Sequence, residues 1–392
     1  FRLSQFVMRF PGAVLLATLI PLLIAGSPFM HVRFGMPDER NIPRGMESRT
    51  ATEYMRAQFT ANELAPVQIL VRFEKSPLEE DSLGALYDYA QALKADPGVV
   101  RVDSLVTLDP RLDERGKQGY LFFYRMVASG ALPQGKLAVD EFSSGPFARL
   151  HVYFKGDPHG IAAQALVRKL RSLPPPPGAF VQIGGTTAEM IDLFDGMRRD
   201  VPRAMVVIVG SIFVLLFLML GSIVVPIKAV LLNFLSLTVT FGALVFIFQD
   251  GHLVQLLGAE KLGTIDALQP VLIFAVAFGL SMDYEVFLLS RIKEAFDETG
   301  DNARSVALGV ERTGRIITSA AVLLAVVILG FAVGDVQSLK QVGIGLFLAV
   351  LVDATLVRSL LVPATMRLLG KYNWWAPAPL RRLYTRIGLG EI

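Results

Sequence analysis

Six apolar stretches, each long enough to cross a bilayer as a helix, constrain this chain more than any other feature. About 20 residues of helix are needed to cross the hydrocarbon core of a membrane. The predicted spans are residues 11–30, 203–224, 226–248, 269–290, 314–334 and 340–362. Hydrophobic residues make up 53% of the sequence, which is too many for an ordinary soluble protein of this length. The sequence therefore predicts a polytopic α-helical membrane protein with six transmembrane helices.

A polar segment separates the first predicted span from the other five. Its hydrophobic pattern predicts strands at residues 67–73, 99–105, 148–154 and 180–183, with helices at 47–64, 78–95, 161–173 and 187–200. Residues 106–146, which contain several Gly and Pro, are predicted to form an elaborated connection. The order of two β-α-β units around this connection matches a ferredoxin-like α+β domain.

The predicted domains follow from this alternation. They are the first transmembrane helix (1–34), an α/β domain (35–200), a five-helix transmembrane bundle (201–369) and a basic tail (370–392). The first residue is Phe1 rather than Met, so the native amino terminus is left open.

The placement of Lys and Arg predicts the orientation in the membrane. Most basic residues near span ends fall on one side, namely Arg2, Arg9, Lys228, Arg291, Lys293, Arg304, Arg312, Arg315, Arg367, Lys371, Arg381, Arg382 and Arg386. The facing short loops contain only Lys261 and Lys340. The positive-inside rule then places both termini and residues 291–313 in the cytoplasm and the α/β domain outside a cytoplasmic (inner) membrane. Trp374 and Trp375 are predicted to anchor the last span at the cytoplasmic interface.

Composition argues against several classes of function. The chain has no cysteine, which excludes disulfides, thiol nucleophiles and Cys-ligated metals, and its four His residues (His31, His151, His159 and His252) show no ligand spacing. The net charge of +3 is small and the basic residues form no single stripe, so nucleic-acid binding is disfavoured. We expect no metal and no cofactor.

One carboxylate lies inside a predicted span and is the leading candidate for chemistry. Asp283 is roughly two-thirds of the way along its span, where an ionisable group costs several kcal/mol unless protonated or paired, and such groups usually mark an ion or proton path. Gly279 lies one helical turn earlier on the same face and would let a neighbouring helix approach. With the adjacent Tyr284 hydroxyl, Asp283 is predicted to form a proton relay. Thr318 and Ser319, at a comparable depth, either bond to Asp283 or return a bond to their own backbone.

Three further charged residues are weaker candidates as relay partners. Glu285 points about 200° around the helix from Asp283, so it faces another neighbour or the cytoplasmic side. Asp353 lies in the middle of the last span and Arg358 follows five residues later. A structural ion pair or a snorkelling Arg explains this pair more simply than proton transport does.

Four stretches resemble the MmpL branch of the resistance-nodulation-division (RND) superfamily of transporters. They are Gly279–Arg291 (GLSMDYEVFLLSR), Glu311–Ala320 (ERTGRIITSA), Asp353–Arg358 (DATLVR) and Asn373–Pro377 (NWWAP). One span, a large external domain and five further spans are the layout of a single RND repeat. The SMDYE form and the NWW ending are similar to the second of the two repeats that such transporters usually contain. The partner Asp-Tyr pair of the first repeat is absent from this chain.

The resemblance implies a function as well as a fold. RND half-transporters of this kind use the proton-motive force to export lipids or other hydrophobic molecules and are not enzymes. Carried over by position, Asp283 and Tyr284 are the proton relay and Gly279 begins the family's Gly-x-x-x-Asp pattern. The implied partners are a hydrophobic substrate, membrane lipids and a second RND repeat, from a longer chain or from another copy of this one, and protons are the coupling ion.

Two other functions stay open at this point. One is a lipid sensor or scaffold on the same fold that does not transport. The other, less favoured, is an intramembrane aspartyl protease using Asp283 and Asp353, although the order here is Asp-Tyr and the glycine stands four residues before the acid. The sequence does not identify the substrate.

Overall fold

A computed structural model describes residues 2–59 and 62–386, with side chains from Phe6 onward. Within this part of the chain, six helices are long and apolar enough to cross a membrane. They are span 1 (Pro11–His31), span 2 (Thr186–Leu220), span 3 (Val224–Gln249), span 4 (Leu268–Thr299), span 5 (Asn302–Val333) and span 6 (Gln337–Trp374). The prediction of a six-span membrane protein is confirmed.

The chain divides into two compact units. The membrane unit contains the described residues up to Arg49 and from Arg199 onward, and the α/β unit is Thr50–Arg198. Residues 60 and 61, within the predicted helix 47–64, and residues 387–392 of the predicted basic tail lie outside the described residues.

In the membrane unit, spans 4 and 5 pack along each other and are joined by a two-residue turn. Gly300 ends span 4 with φ of 65°, and the Asp301 carboxylate accepts hydrogen bonds from the backbone N–H groups of Ala303 and Arg304 at the start of span 5. Residues 291–313 are therefore mostly the ends of two helices.

The sequence predicts one transmembrane helix for span 6, but the structure shows that this helix is not a regular α-helix throughout. It begins as an α-helix over Gln337–Val352, continues as a π-helix over Asp353–Leu361, returns to an α-helix over Val362–Leu369 and ends in 3₁₀ turns over Gly370–Trp374. Span 3 also ends in π-helical turns, over Val245–Gln249. Wide turns of this kind are rare and are often found at functional sites.

Seven strands are present in the described chain: β1 (Phe34–Gly35), β2 (Val67–Phe73), β3 (Val99–Asp103), β4 (Ser143–Ser144), β5 (Phe147–Phe154), β6 (Ala179–Gly184) and β7 (Ile265–Asp266). The short strands β1 and β7 pair in parallel within the membrane unit. The α/β unit contains an antiparallel sheet of order β3-β5-β2-β6, with β4 paired to β5. Its first and third long strands lie in the centre, as in the predicted ferredoxin-like domain.

Helices Glu80–Lys94 and Ile161–Arg171 provide the core on one side of this sheet. Residues of β2 alternate between buried and exposed, so Val67, Ile69, Val71 and Phe73 share one face. Leu86 and Leu93 of the first helix and Leu170 of the second are buried in the same apolar cluster. The α/β unit also contains helix Glu47–Gln58, which begins in the membrane unit, and the first part of span 2.

The elaborated connection predicted over residues 106–146 lies between β3 and β4 and is folded into helices. It contains helices Pro110–Glu114, Gly116–Ala128 and Gly135–Phe142. The Gly and Pro residues that suggested a loop lie at the ends of these helices. Pro110 is the first residue of its helix, and Gly116 and Gly130 have positive φ angles of 59° and 79°.

The membrane unit has two further short helices at the described ends of the chain. They are Arg2–Arg9 and Ala378–Arg386. Trp375 is half exposed, whereas Trp374 stacks on Phe296 with ring centres 4.9 Å apart.

Candidate functional site

Asp283, Tyr284 and Glu285 follow one another in span 4 and have three different environments. Asp283 is exposed on the outer face of the helix, Tyr284 is half buried and Glu285 is buried, with 4% of its surface exposed. Successive residues of an α-helix lie about 100° apart, so three consecutive side chains reach the outside, an intermediate side and the interior of the bundle. Tyr284 therefore lies between the two carboxylates.

The outer face around Asp283 has no neighbour within the described chain. Gly279 is exposed, and a Cβ atom added to it would meet nothing within 4 Å. Thr318 and Ser319 are also exposed, and neither hydroxyl bonds to Asp283 anywhere in residues 2–59 and 62–386. Within the described residues, the close helix contact predicted for Gly279 is thus not made, and of the two alternatives for Thr318 and Ser319 the bond to Asp283 is not formed.

This exposure is significant because of where it occurs. A carboxylate on the outer surface of a membrane helix would face hydrocarbon, and an ionisable group at that depth is costly unless it is neutral or paired. Gly279 and Asp283 on span 4 and Thr318 and Ser319 on span 5 are exposed residues, and we call them together the Asp283 face. Surfaces of this composition are typical of helix contacts inside membranes.

Asp353 and Arg358 form the ion pair predicted for span 6. The Arg358 guanidinium contacts the Asp353 carboxylate, and the two side chains are 5% and 10% exposed. Arg358 also donates to the Ser281 carbonyl at 2.7 Å and to its hydroxyl at 3.3 Å. Its guanidinium carbon lies 5.1 Å from the centre of the Tyr284 ring. Arg358 thereby joins span 6 to span 4 beside the tyrosine of the predicted relay.

The π-helix in span 6 explains how two residues five positions apart can pair. In an α-helix, residues i and i+5 lie about 140° apart around the axis and point in different directions. The wider turns of the π-helix make hydrogen bonds from i to i+5, so residues five positions apart lie nearly above one another on the same side of the helix. Asp353 is the first residue of the π-helix and Arg358 follows within it.

A second pair of charges is buried nearby, and the sequence analysis assigned one of its members to a different role. Lys228 in span 3 is 7% exposed and Glu285 in span 4 is 4% exposed. The positive-inside argument treats Lys228 as a cation near a span end. Its position inside the predicted span 226–248 is the sequence feature that indicates a buried lysine.

Lys228, Glu285, Asp353 and Arg358 form what we call the buried charge cluster. It contains two acids and two bases, so its formal charge is zero when all four are ionised. Net neutrality matters because each ion removed from water costs several kcal/mol, which only close opposite charges and hydrogen bonds can offset. In this cluster Arg358 is hydrogen-bonded through Nη2, whereas Arg358 Nε, Lys228 Nζ and Glu285 Oε1 have no hydrogen-bond partner within the described residues.

A small cavity lies between the buried charge cluster and Tyr284. Its volume is about 20 Å³, which is enough for one water molecule. Polar side chains on spans 3, 4 and 6 line much of it, including Asn233, Ser236, Ser281, Tyr284, Asp353 and Arg358. The arrangement can hold a proton-conducting group between spans 4 and 6.

A larger cavity of the membrane unit is almost entirely apolar. It has a volume of about 290 Å³ and is lined by residues of spans 1 to 4. The lining includes Phe29, Met205, Ile208, Phe234, Phe241 and Phe274. These side chains suit acyl chains or other hydrophobic groups.

Among the described residues, no group of three or more His, Asp or Glu side chains is placed to hold a metal ion.

Comparisons with known proteins agree with this architecture. The sequence profile of the MMPL family matches residues 41–388. A membrane protein of Streptomyces coelicolor is 37% identical over 391 residues, which cover all of this chain and 48% of the relative. The probable trehalose monomycolate exporter MmpL3 of Mycobacterium leprae is 32% identical over 394 residues, covering all of this chain and 38% of the relative. The mycolic acid-containing lipids exporter MmpL11 of Mycolicibacterium smegmatis is 31% identical over 391 residues, covering 98% of this chain and 37% of the relative. The chain thus spans about half, or less, of the length of the relatives it matches.

Proposed function

This chain belongs to the MMPL family, and on that premise we propose that it is the half of a transporter that uses the proton-motive force to export lipids or other hydrophobic molecules. Two of its relatives are named as exporters of trehalose monomycolate and of mycolic acid-containing lipids. Its six apolar helices are suited to a multi-pass position in the cytoplasmic membrane. The positive-inside rule supports an external α/β unit and cytoplasmic termini.

The observation that carries the proposal is the exposure of Asp283 on a membrane helix. An ionisable group on that surface is costly unless it is covered, and a group that can be neutral or charged can bias how helices pack. Asp283 takes up a proton from outside and releases it to the cytoplasm, with Tyr284 as the adjacent hydroxyl. Each change of charge alters the contacts of the Asp283 face, and the resulting helix movement changes the α/β unit that forms the substrate path.

A second repeat completes the relay by covering the Asp283 face. The length of the relatives supports this step, because this chain covers 48% of the Streptomyces protein and 38% of the Mycobacterium leprae protein. Gly279 supplies the space for close contact, since an added Cβ there would meet nothing within 4 Å in the described chain. The second repeat is either part of a longer native polypeptide or another copy of this chain.

The apolar cavity between spans 1 to 4 is the proposed site for the hydrophobic part of the cargo. Its lining of Phe29, Phe234 and Phe274 together with aliphatic residues provides dispersion contacts without polar selectivity. The same cavity would suit a lipid sensor or scaffold, which is therefore the second candidate function. Transport and sensing differ in whether a proton gradient moves the bound lipid.

An intramembrane aspartyl protease fits the geometry poorly. That chemistry needs two carboxylates sharing one site. Asp353 is paired with Arg358 inside the bundle, whereas Asp283 is exposed on the outer face of span 4.

Reconstitution in liposomes tests the proposal. The native protein is placed in vesicles with an imposed pH gradient, and the movement of a fluorescent phospholipid is followed together with internal pH. We expect coupled lipid and proton movement in the wild type and the loss of both in Asp283→Asn. The matched control is Asp335→Asn, which changes an exposed aspartate in the turn between spans 5 and 6. Equal lipid movement in wild type and Asp283→Asn would show that the relay assignment is wrong, and gradient-independent binding would favour the sensor.

A further inference from the structure

We propose that helix Ala378–Arg386 binds the anionic phospholipids of the membrane leaflet at its own end of the membrane unit. The helix follows span 6 and lies in the predicted basic tail, to which the proposed function gives no role. The inference needs only a chain that lies in a membrane, so it does not depend on proton-driven export.

The start of this helix is fixed beside the turn between spans 2 and 3. The Ser222 hydroxyl in that turn donates to the Asn373 carbonyl at 2.5 Å, and the Ile223 N–H donates to the Trp375 carbonyl at 3.2 Å. Ser222 lies two residues beyond the end of span 2, and Asn373 belongs to the last turn of span 6. Helix Ala378–Arg386 therefore begins where two membrane helices end, which is the level of the lipid headgroups.

One side of the helix packs against the end of span 2. The centre of the Tyr384 ring lies 6.2 Å from that of Phe217, in an edge-to-face arrangement. A Cβ atom added to Gly221 would lie 2.9 Å from a ring carbon of Tyr384, so the ring touches the chain just beyond span 2. Leu380 lies one turn earlier on the same side of the helix and is also partly buried. The helix is thus held in place by its apolar side.

The remaining sides of the helix carry three arginines and an exposed leucine. At about 100° per residue, Arg381, Arg382 and Arg386 lie about 80° to 180° away from the packed side. All three are exposed, and within the part of the chain that the structure describes none of them forms an ion pair. Leu383 is 48% exposed and lies next to the packed side. The helix therefore presents positive charge in one direction and an uncovered apolar side chain in another.

This arrangement fits the surface of an anionic bilayer. A helix at that level places its apolar side chains among the acyl chains and its Lys and Arg side chains among the phosphates. The flanking residues have the same character, because Lys371 is exposed and the rings of Tyr372 and Trp375 are half exposed or more. Each basic residue close to an anionic bilayer contributes about fivefold in affinity, so three arginines together contribute on the order of a hundredfold.

The test uses the full native protein in lipid nanodiscs, with a small apolar fluorophore attached at Leu383→Cys. The 392 residues contain no cysteine, so the label has no competing attachment site among them. Phosphatidylcholine nanodiscs receive the same mole fraction of either brominated phosphatidylglycerol or brominated phosphatidylcholine, because bromine quenches only a fluorophore that it contacts. We expect phosphatidylglycerol to quench about fivefold more efficiently, or better, at low salt. At high salt, which screens the charges, the two lipids should quench alike.

A charge variant with a matched control separates the arginines of the helix from the net charge of the protein. Arg381→Gln/Arg382→Gln/Arg386→Gln keeps the packed side and the label, and it should abolish the preference for phosphatidylglycerol. The control variant removes the same number of exposed basic residues from the α/β unit, namely by Arg115→Gln, Lys136→Gln and Lys155→Gln. The control should retain the preference of the wild type.

Three results would overturn the proposal. Equal quenching by the two lipids at low salt would mean that the helix touches the bilayer without selecting anionic headgroups. No quenching by either lipid would mean that Leu383 is covered by protein or stays in water. Loss of the preference in the control variant as well would attribute it to net charge rather than to the helix. The low-salt comparison needs only the labelled protein with its arginines intact, so it decides the matter even if the triple variant does not fold.

Discussion

At the scale of single residues, Arg358 contributes most to the polar interior of the membrane unit. It pairs with Asp353, donates to the Ser281 carbonyl at 2.7 Å and lies 5.1 Å from the Tyr284 ring centre. A buried pair of this kind adds little stability by itself, yet the loss of one partner leaves an uncompensated charge. The stability of the bundle should therefore depend strongly on keeping both partners or removing both.

We expect Arg358→Leu to lower the free energy of unfolding by about 3–5 kcal/mol, because Asp353 then remains buried without its partner. The double variant Asp353→Leu/Arg358→Leu should be closer to the wild type. Chemical unfolding in detergent measures both. An equal loss of unfolding free energy in the single and double variants would show that the unpaired Asp353 charge is not what destabilises Arg358→Leu.

The same residues show what the sequence could predict at this scale. The spacing of Asp353 and Arg358 was enough to propose an ion pair, which the structure confirms. Lys228 was assigned to a span end because counting charges along the chain does not show which side of a helix is buried. The sequence also could not predict which way the Asp283 side chain points. Helical spacing fixes the angle between Asp283 and Glu285 around span 4, but it does not show which of these two side chains faces the bundle.

At the scale of elements, glycines determine how closely the spans pack. A Cβ added to Gly242 in span 3 would lie 2.4 Å from the Ala25 carbonyl oxygen and 2.8 Å from the Cα of Gly26 in span 1. Both contacts are with backbone, which cannot rotate away as a side chain can. The two helices must therefore separate to accept any larger residue.

Gly242→Val should destabilise the membrane unit by about 1–3 kcal/mol or more, the usual range for overpacking a core. Gly330→Val in span 5 is the matched control, because an added Cβ there would meet nothing within 4 Å in the described chain. Thermal unfolding in detergent gives the comparison, with a lower Tm expected only for Gly242→Val. Equal Tm values would mean that spans 1 and 3 are packed less tightly than the structure indicates.

The loop between spans 3 and 4 provides a prediction about pH. Glu260 accepts hydrogen bonds from Arg44 Nε at 2.7 Å and from two nitrogens of Arg49 at 3.0 Å. Arg49 and then Arg44 lower the pKa of Glu260 from 4.5 to about 2. Because the folded pKa is the lower one, this stabilisation is present above about pH 4.5 and is lost as the pH falls from there towards 2.

We therefore expect Glu260→Gln to lower the Tm at pH 7 and to have a much smaller effect at pH 3. The control is Glu311→Gln, which changes an exposed glutamate in span 5. Thermal unfolding of the three proteins at both pH values is the measurement. A difference between wild type and Glu260→Gln that does not change with pH would contradict the assigned ion pairs.

Elements that depend on local pattern were predictable, and those that depend on tertiary contacts were not. Strand β2 and helix Ile161–Arg171 follow from alternation and amphipathic spacing, and their predicted positions agree with the structure to within about two residues. The π-helix of span 6 has no such pattern, because its residues are as apolar as those of an α-helical span. The helices between β3 and β4 were hidden by the glycines and prolines that begin and end them.

At the scale of the whole molecule, the chain shows the layout of one repeat and a polar surface that the repeat does not cover. The layout of one span, an α/β unit and five spans could be predicted because apolar length is a strong signal. The exposure of the Asp283 face could not, because the spacing of residues along span 4 does not show which side of the helix the described chain leaves uncovered. Gly279, Thr318 and Ser319 are exposed like Asp283.

If a second repeat covers this face, residues on it should be shielded from lipid in the native membrane. The 392 residues contain no cysteine, so a spin label at Gly279→Cys has no competing attachment site among them. We expect this label to be several-fold less accessible to oxygen dissolved in the bilayer than a label at Val214→Cys, because packed protein excludes oxygen that lipid admits. Val214 is the control because it is 55% exposed and lies near the middle of predicted span 203–224, at a depth like that of Gly279. Equal accessibility at the two sites would place Asp283 against lipid, and a relay completed by a second repeat would then have to be abandoned even if the protein binds lipids.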